Sequence, residues 1–354
     1  MNNNQPVHRG IILMNLGSIE STDVPSVKKY LDEFLMDAKV IDYPYLFRLL
    51  LVKGIITPKR APRTAEAYKK IWWKEGSPLM VLTDRLRDAL QSRMEEPVEI
   101  AMRYGNPHPA AAFKSLMVKD PLIEEVVVIP LYPHYAMASY ETAVEYVQDI
   151  YEEKQYPFKL SVIKPFYKEP DYIHALAENI RPYLKQEFDY LLFSYHGVPE
   201  RHIRKSDITH HHCLQSKDCC FTESPAHQFC YRHQVITTMK LVAEELGLPE
   251  EKYGFSFQSR LGRAEWLKPN TVDVLKELPG KGIRSLVVAS LAFVADCLET
   301  LEEIGMEGKE IFMNAGGESF QLIPGLNTND EWVNVLAKWV KEYASGNKAM
   351  LVSA

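Results

Sequence analysis

Eight short runs of β-branched and other apolar residues recur along the chain, each closing on glycine, proline or a polar residue and followed by a helix-like stretch. RGIILMNLG, PVEIAMRYG, EEVVVIPLY and FKLSVIKPF form a first group, and DYLLFSYHG, KYGFSFQSR, IRSLVVASLAF and KEIFMNAGG a second. Their near-continuous apolarity predicts strands buried on both faces, hence parallel sheets with helices above and below. The predicted fold class is α/β, with two doubly wound four-stranded parallel-sheet domains. The first domain is expected over 1–165 and the second over 166–324, with the boundary in IKPFYKEPDY. DEWVNVLAKWVKEYA places Trp332, Val335, Leu336, Trp339 and Val340 at helical spacing, so 325–354 is expected to close the fold as an amphipathic helix packed on the first domain.

Composition narrows the field. A chain of 354 residues, 46% hydrophobic and 25% charged, is long enough for two such cores. Its net charge of -6 comes from interspersed acids and bases, without a long basic block or finger spacing, which argues against a nucleic-acid surface. MNNNQPVHRGIILMNLG lacks the charged and apolar regions of a secretory signal, so a cytoplasmic protein is expected. No apolar segment reaches the roughly 18 to 20 residues that span a bilayer. YPYLFRLLLVKGII at 43–56 is apolar enough to touch one, which leaves peripheral contact with the inner membrane open.

In an open α/β sheet, ligands sit beyond the carboxyl ends of the strands. Those positions hold Asn15, Leu16 and Gly17; Arg103 and Tyr104; Tyr132 and His134; His196; Gln258, Ser259 and Arg260; and Asp296 with Glu299. No glycine-rich phosphate cradle follows any of these strands, which argues against a dinucleotide or nucleoside triphosphate. In SYHGVPERH a turn at Gly197 and Pro199 follows His196 directly. An imidazole held there either accepts a proton, ligates a metal or merely bonds the turn. In FVADCLETLEEI a helix is predicted with Asp296, Glu299 and Glu303 on one face and Val294, Leu298 and Leu301 on another. Such a stripe binds a divalent cation or conducts protons. Alternatively, Asp296 and Glu299 form a helix cap and its reciprocal partner. Lys59, Arg60 and Arg63, with Arg260 and Arg263 beside Trp266, would suit a large, flat, anionic ligand.

SYHGVPERH, FQSRLGRAEWLKPNT and FVADCLETLEEI, in that order, resemble the ferrochelatases, which insert ferrous iron into a porphyrin to form heme. MNLGS, KEGSPL, RYGNP and LYPHYAMAS are similar to further segments of that family, so the resemblance spans nearly the whole chain. It implies a chelatase-type fold, a lyase of heme biosynthesis acting on protoporphyrin IX, and Fe2+ as substrate. It implies that His196, Glu299 and Asp296 are catalytic, His196 and Glu299 meeting the iron. Leu16, Arg103, Tyr104, Trp266 and Phe293 match positions lining the porphyrin cleft, and Lys59, Arg60, Ser77 and Ser259 groups near the propionates. Cys297 stands where the family pattern often has histidine. A non-catalytic tetrapyrrole or heme carrier, or a chelatase for coproporphyrin or cobalt, remains as an alternative.

Cys213, Cys219, Cys220 and Cys230, spaced C-x5-C-C-x9-C, lie in a segment at 205–230 that resembles an insertion after the histidine turn. Certain bacterial ferrochelatases are similar in carrying four cysteines for a [2Fe–2S] cluster, and that cofactor is expected here. Zinc with help from His210, His211, His212 or His227 is the alternative.

Overall fold

The computed structural model describes residues 7–260, 262, 264–347 and 349–351. Arg263 of the basic set lies outside them. The chain divides into two compact units.

The first unit comprises the described residues up to Leu131, Ala138–Pro165 and those from Asp330 onward. Its elements are β1 (Arg9–Asn15), α1 (Val24–Leu35), α2 (Tyr45–Leu51), α3 (Thr57–Ile71), α4 (Pro78–Gln91), β2 (Val98–Met102), α5 (Pro109–Lys119), β3 (Glu125–Pro130), α6 (Thr142–Lys154) and β4 (Lys159–Val162). The strands form one parallel sheet in the order β2-β1-β3-β4. β1 and β3 are buried along their whole length, as their unbroken apolar runs require. α1 starts where Asp23 caps the Ser26 N–H at 2.8 Å, and it buries Val27, Leu31 and Leu35 at helical spacing. A π-helical turn, Val52–Ile56, joins α2 to α3. The C-terminal helix, Asp330–Ala344, turns Trp332, Val335, Leu336, Trp339 and Val340 inward and packs on α4. Arg93 fastens it through Asp330 at 2.5 Å and Asn334 at 2.8 Å.

The second unit comprises Tyr132–Met137 and Phe166–Asn329. It contains α7 (Pro170–Ile180), β5 (Tyr190–His196), α8 (Glu200–Lys205), α9 (Tyr231–Glu245), β6 (Tyr253–Gln258), α10 (Thr271–Glu277), β7 (Ser285–Ala289), α11 (Lys309–Asn314) and β8 (Ser319–Ile323). These strands are again all parallel, in the order β6-β5-β7-β8. The fold is therefore α/β, two doubly wound four-stranded parallel sheets with a closing C-terminal helix.

One predicted strand is displaced. KEIFMNAGG is not a strand: Lys309–Asn314 is helix α11, and β8 is the following segment SFQLI. Phe312 is fully buried in a core with Leu192, Leu275, Leu286 and Val288. Gly317 then passes so close to the Phe312 ring that an added Cβ would come within 2.2 Å of it. β8 lies at the sheet edge and buries only Ile323 fully, with Phe320 and Leu322 partly buried against the same core as Phe312.

Candidate active site

β5 ends at His196, which pairs with Gln258 at the end of β6. The sheet ladder continues one step, the Gly197 N–H donating to the Gln258 carbonyl at 2.7 Å. The residues after Pro199 and those around Trp266 are stitched together by the Leu267 N–H to the Val198 carbonyl, 3.1 Å, and the Glu200 N–H to the Glu265 carbonyl, 2.9 Å. His196 Nδ1 lies 2.7 Å from the Gly197 carbonyl oxygen. A carbonyl only accepts, so Nδ1 carries a proton and, in the neutral ring, the lone pair lies on Nε2. The Tyr231 hydroxyl donates to the His196 carbonyl at 2.9 Å, and the Phe293 ring stands edge-on to the imidazole at 6.1 Å. His196, Trp266 and Phe293 are half-buried. His134 is different: it is buried, it bonds Thr238 through Nε2 at 2.9 Å, and burial lowers its pKa to about 3, so it stays neutral.

The carboxylate stripe departs from the predicted α-helix. Glu299–Gly308 is a π-helix, and Asp296 precedes it rather than lying on it. The Asp296 carboxylate accepts from the Thr300 hydroxyl at 3.0 Å, the Gly325 N–H at 3.1 Å and Asn327 Nδ2 at 2.8 Å. Its own N–H donates to Asn327 Oδ1 at 2.8 Å. Asp296 thus clamps the loop after β8 to the start of the π-helix. Thr300 reaches back along the chain, its hydroxyl accepting the Cys297 N–H at 3.0 Å. Glu299 is half-buried. The Cys297 thiol against it is pushed well up by burial and then by the Glu299 charge, so it remains a neutral donor to that carboxylate. The wider π turn keeps Glu303 on the side of Glu299, and Ser259 donates to Glu303 at 2.5 Å.

In the first unit the ladder also continues past the strands. The Arg103 N–H donates to the Asn15 carbonyl at 2.8 Å and the Tyr104 N–H to the Leu16 carbonyl at 2.9 Å. Leu16 is half-buried, whereas Tyr104 is fully buried behind it. Arg103 pairs with Asp37 at 2.5 Å. Ser77 is buried and donates to Ser18 at 2.7 Å. Lys59 and Arg60 are exposed on α3. Asp37, Thr300 and Tyr231 were not singled out from sequence. Asp37 alone left a signal there, a carboxylate placed just past the end of a helix where the macrodipole opposes it.

The cysteine segment requires a correction. Cys213, Cys219, Cys220 and Cys230 are buried and free of disulfides. Their thiols bond one another: Cys230 contacts Cys213 and Cys220, and Cys220 contacts Cys219. The bond to Cys213, with burial added, pushes Cys230 up to about 12, and the bond to Cys230, with burial, pushes Cys220 up as well. Metal binding needs thiolates, and these bonds together with burial favour the thiol form of Cys220 and Cys230. The nearby rings of His212 and His227 donate to the Cys219 carbonyl at 2.7 and 2.9 Å, and His233 donates to that of Cys220 at 2.7 Å. Among the described residues, no group of three or more His, Cys, Asp or Glu side chains is arranged to hold a metal ion. The expected [2Fe–2S] cluster on Cys213, Cys219, Cys220 and Cys230 is thereby overturned, as is the zinc alternative.

Comparison with known proteins gives a consistent picture. A family model described as ferrochelatase matches residues 8–344. A ferrochelatase of Pseudomonas entomophila is 47% identical over 329 residues, covering 92% of this chain and 97% of the relative. One of Opitutus terrae is 45% identical over 342 residues, covering 95% and 98%. Among solved structures, SirB from Bacillus subtilis with Fe3+ superposes with a TM-score of 0.55 at 14% identity, covering 97% of this chain and 98% of that one. The sirohydrochlorin chelatase SirB from Bacillus subtilis subspecies spizizenii in complex with cobalt gives 0.55 at 10% identity, covering 98% and 100%. At such identities the likeness to SirB is one of fold.

Proposed function

The chain belongs to the ferrochelatase family and is an enzyme that inserts Fe(II) into a porphyrin, and from that premise we propose how its residues carry out the reaction. The observation that supports the proposal most is the tautomer of His196. With Nδ1–H committed to the Gly197 carbonyl, Nε2 presents a lone pair from the end of a rigid strand. Metal insertion must strip both pyrrole protons, and an imidazole nitrogen with its lone pair in plane is the group here able to accept them. His196 is the proton acceptor.

Glu299 and Glu303 line one side of the π-helix and carry protons outward or meet the incoming iron, with His196 and Glu299 as its protein contacts. Asp296 serves this step by fixing the start of the helix. Trp266, Phe293 and Leu16 meet the macrocycle. Lys59 and Arg60 attract the propionates, Ser259 lies near them with its hydroxyl given to Glu303, and Ser77 steadies the segment entering α4. Binding at the ring edge supplies the energy that bends the macrocycle and exposes its nitrogens. His196→Ala is expected to reduce porphyrin metallation at saturating iron by about 100-fold or more, read as loss of free-base porphyrin fluorescence. Near-normal metallation by that variant would sink the assignment.

Among the described residues no helix is long and apolar enough to cross a membrane. The exposed apolar residues of α2 and of the π-helical turn after it support a finer reading, contact of the cytoplasmic enzyme with the surface of the inner membrane through Tyr45, Leu46, Phe47, Leu50 and Ile55.

A further inference from the structure

Tyr30, Glu33 and Phe34 of α1, with Asp37 just past its end, share the spacing of one helical face. All four meet the loops that follow β1 and β2. The Tyr30 hydroxyl donates to the Gly17 carbonyl at 3.1 Å, Glu33 accepts the Gly105 N–H at 3.1 Å, and the Phe34 ring stands edge-on to Tyr104 at 5.1 Å. Asp37 gathers the most. Its Oδ2 accepts from Arg103 Nη2 at 2.5 Å, the Tyr104 hydroxyl at 2.8 Å and the Thr142 hydroxyl at 2.5 Å, and its Oδ1 accepts the Lys39 N–H at 2.7 Å. Arg103 Nε donates to Thr142 Oγ1 at 2.8 Å, which closes the ring of bonds. The guanidinium carbon lies 4.4 Å from the Tyr104 ring centroid and 4.5 Å from that of Tyr146.

A carboxylate at this end of a helix meets the negative end of the macrodipole, and its side chain is only 6% exposed. Such a charge is retained where several donors converge on it. Three of those four donors belong to the segment after β2 and to α6, the fourth being the local Lys39 N–H, so the carboxylate orders Arg103 and Tyr104. Tyr104 in turn holds the Leu16 carbonyl through its N–H, and its own carbonyl oxygen lies 1.8 Å from where a Cβ on Gly17 would stand. The backbone around Leu16 is therefore set by the position of Tyr104.

We infer that Asp37 is a positioning residue for porphyrin binding, acting through Arg103 and Tyr104 on Leu16. The inference rests on the reading that Leu16 meets the porphyrin. Asp37→Asn replaces an anion by an amide that cannot accept all of these donors. It is expected to raise the porphyrin KM about tenfold, with kcat changed less than about twofold and the KM for Fe(II) unaltered. Asp37→Glu should recover part of the porphyrin KM. Tyr104→Phe, which removes one donor and keeps the ring, should raise it by a smaller factor and carries the test if Asp37→Asn does not fold. Glu125→Gln, which disrupts a buried carboxylate at the opposite ends of the strands, should lower the thermal midpoint without moving the porphyrin KM. An Asp37→Asn enzyme with a lowered midpoint and an unchanged porphyrin KM overturns the inference. Leu16→Ala separates the two levels: an unchanged porphyrin KM there defeats the reading of the wall, and a raised one beside an unchanged Asp37→Asn defeats the inference alone.

Discussion

Gly197 follows His196, the proposed proton acceptor, and supplies the carbonyl that its Nδ1 bonds. A Cβ on it would lie 2.8 Å from the Gln258 carbonyl oxygen and 3.2 Å from the Trp266 ring. Gly197→Ala is therefore expected to push apart the ends of β5 and β6, lowering stability by about 1–3 kcal/mol and kcat by about tenfold. Thermal unfolding and the metallation assay check both, and a wild-type kcat would show that the His196 tautomer does not depend on this turn. His196 and Glu299 were legible in the sequence because each lies where an apolar strand or its connection gives way to a polar turn. The use of Asp296 was not, since Gly325 and Asn327, which occupy its carboxylate, come from beyond the following strand. Asp37 was hidden for the same reason: Arg103 lies 66 residues away and Thr142 105.

Seven of the eight strands arise from the apolar runs that predicted them, and the displaced one shows what periodicity responds to. KEIFMN and SFQLI each carry three apolar residues and each bury one fully, Phe312 and Ile323, so local apolarity did not tell the helix from the strand. The π-helix was likewise invisible. Its residues have the spacing of an amphipathic helix, and the shift from α to π hydrogen bonding changes which carboxylates align without changing composition. α2 presents a third case. Arg48 turns inward to the Ile41 and Tyr43 carbonyls at 3.1 and 3.0 Å, which leaves Leu46 and Leu50 72% and 71% exposed. If this face meets a bilayer, Leu46→Glu with Leu50→Glu should reduce sedimentation with anionic liposomes about tenfold or more while leaving metallation in detergent unchanged. Equal sedimentation of the two proteins would remove α2 from the membrane reading.

Across the whole chain, the first unit is tied together by a buried carboxylate far from the chemistry. Glu125 of β3 accepts from Arg9 of β1 at 3.2 Å, Lys159 of β4 at 2.9 Å, Ser161 of β4 at 2.7 Å and the Tyr343 hydroxyl of the C-terminal helix. Burial by itself would raise its pKa, but these bonds outweigh it, Tyr343 first, and hold it at about 2 against an ordinary 4.5. A folded-state pKa below the unfolded one stabilises above the unfolded value, and the gain is lost as pH falls from about 4.5 towards 2. It is worth about 2 kcal/mol near neutrality. Glu125→Gln should be less stable at pH 7 and lose less on acidification across that window. Parallel pH profiles for the two proteins would show that the network contributes nothing. By itself the sequence determined the α/β class, seven of the eight strand runs, the closing amphipathic helix and the strand-end position of His196, because burial on both faces writes itself into local hydrophobicity. Tertiary structure alone decided the partners of Asp37, Asp296 and Glu125, the π form of the Glu299 helix and the mutual bonding of the buried thiols in the cysteine segment. Periodicity records that a face is buried and carries no information on what it is buried against.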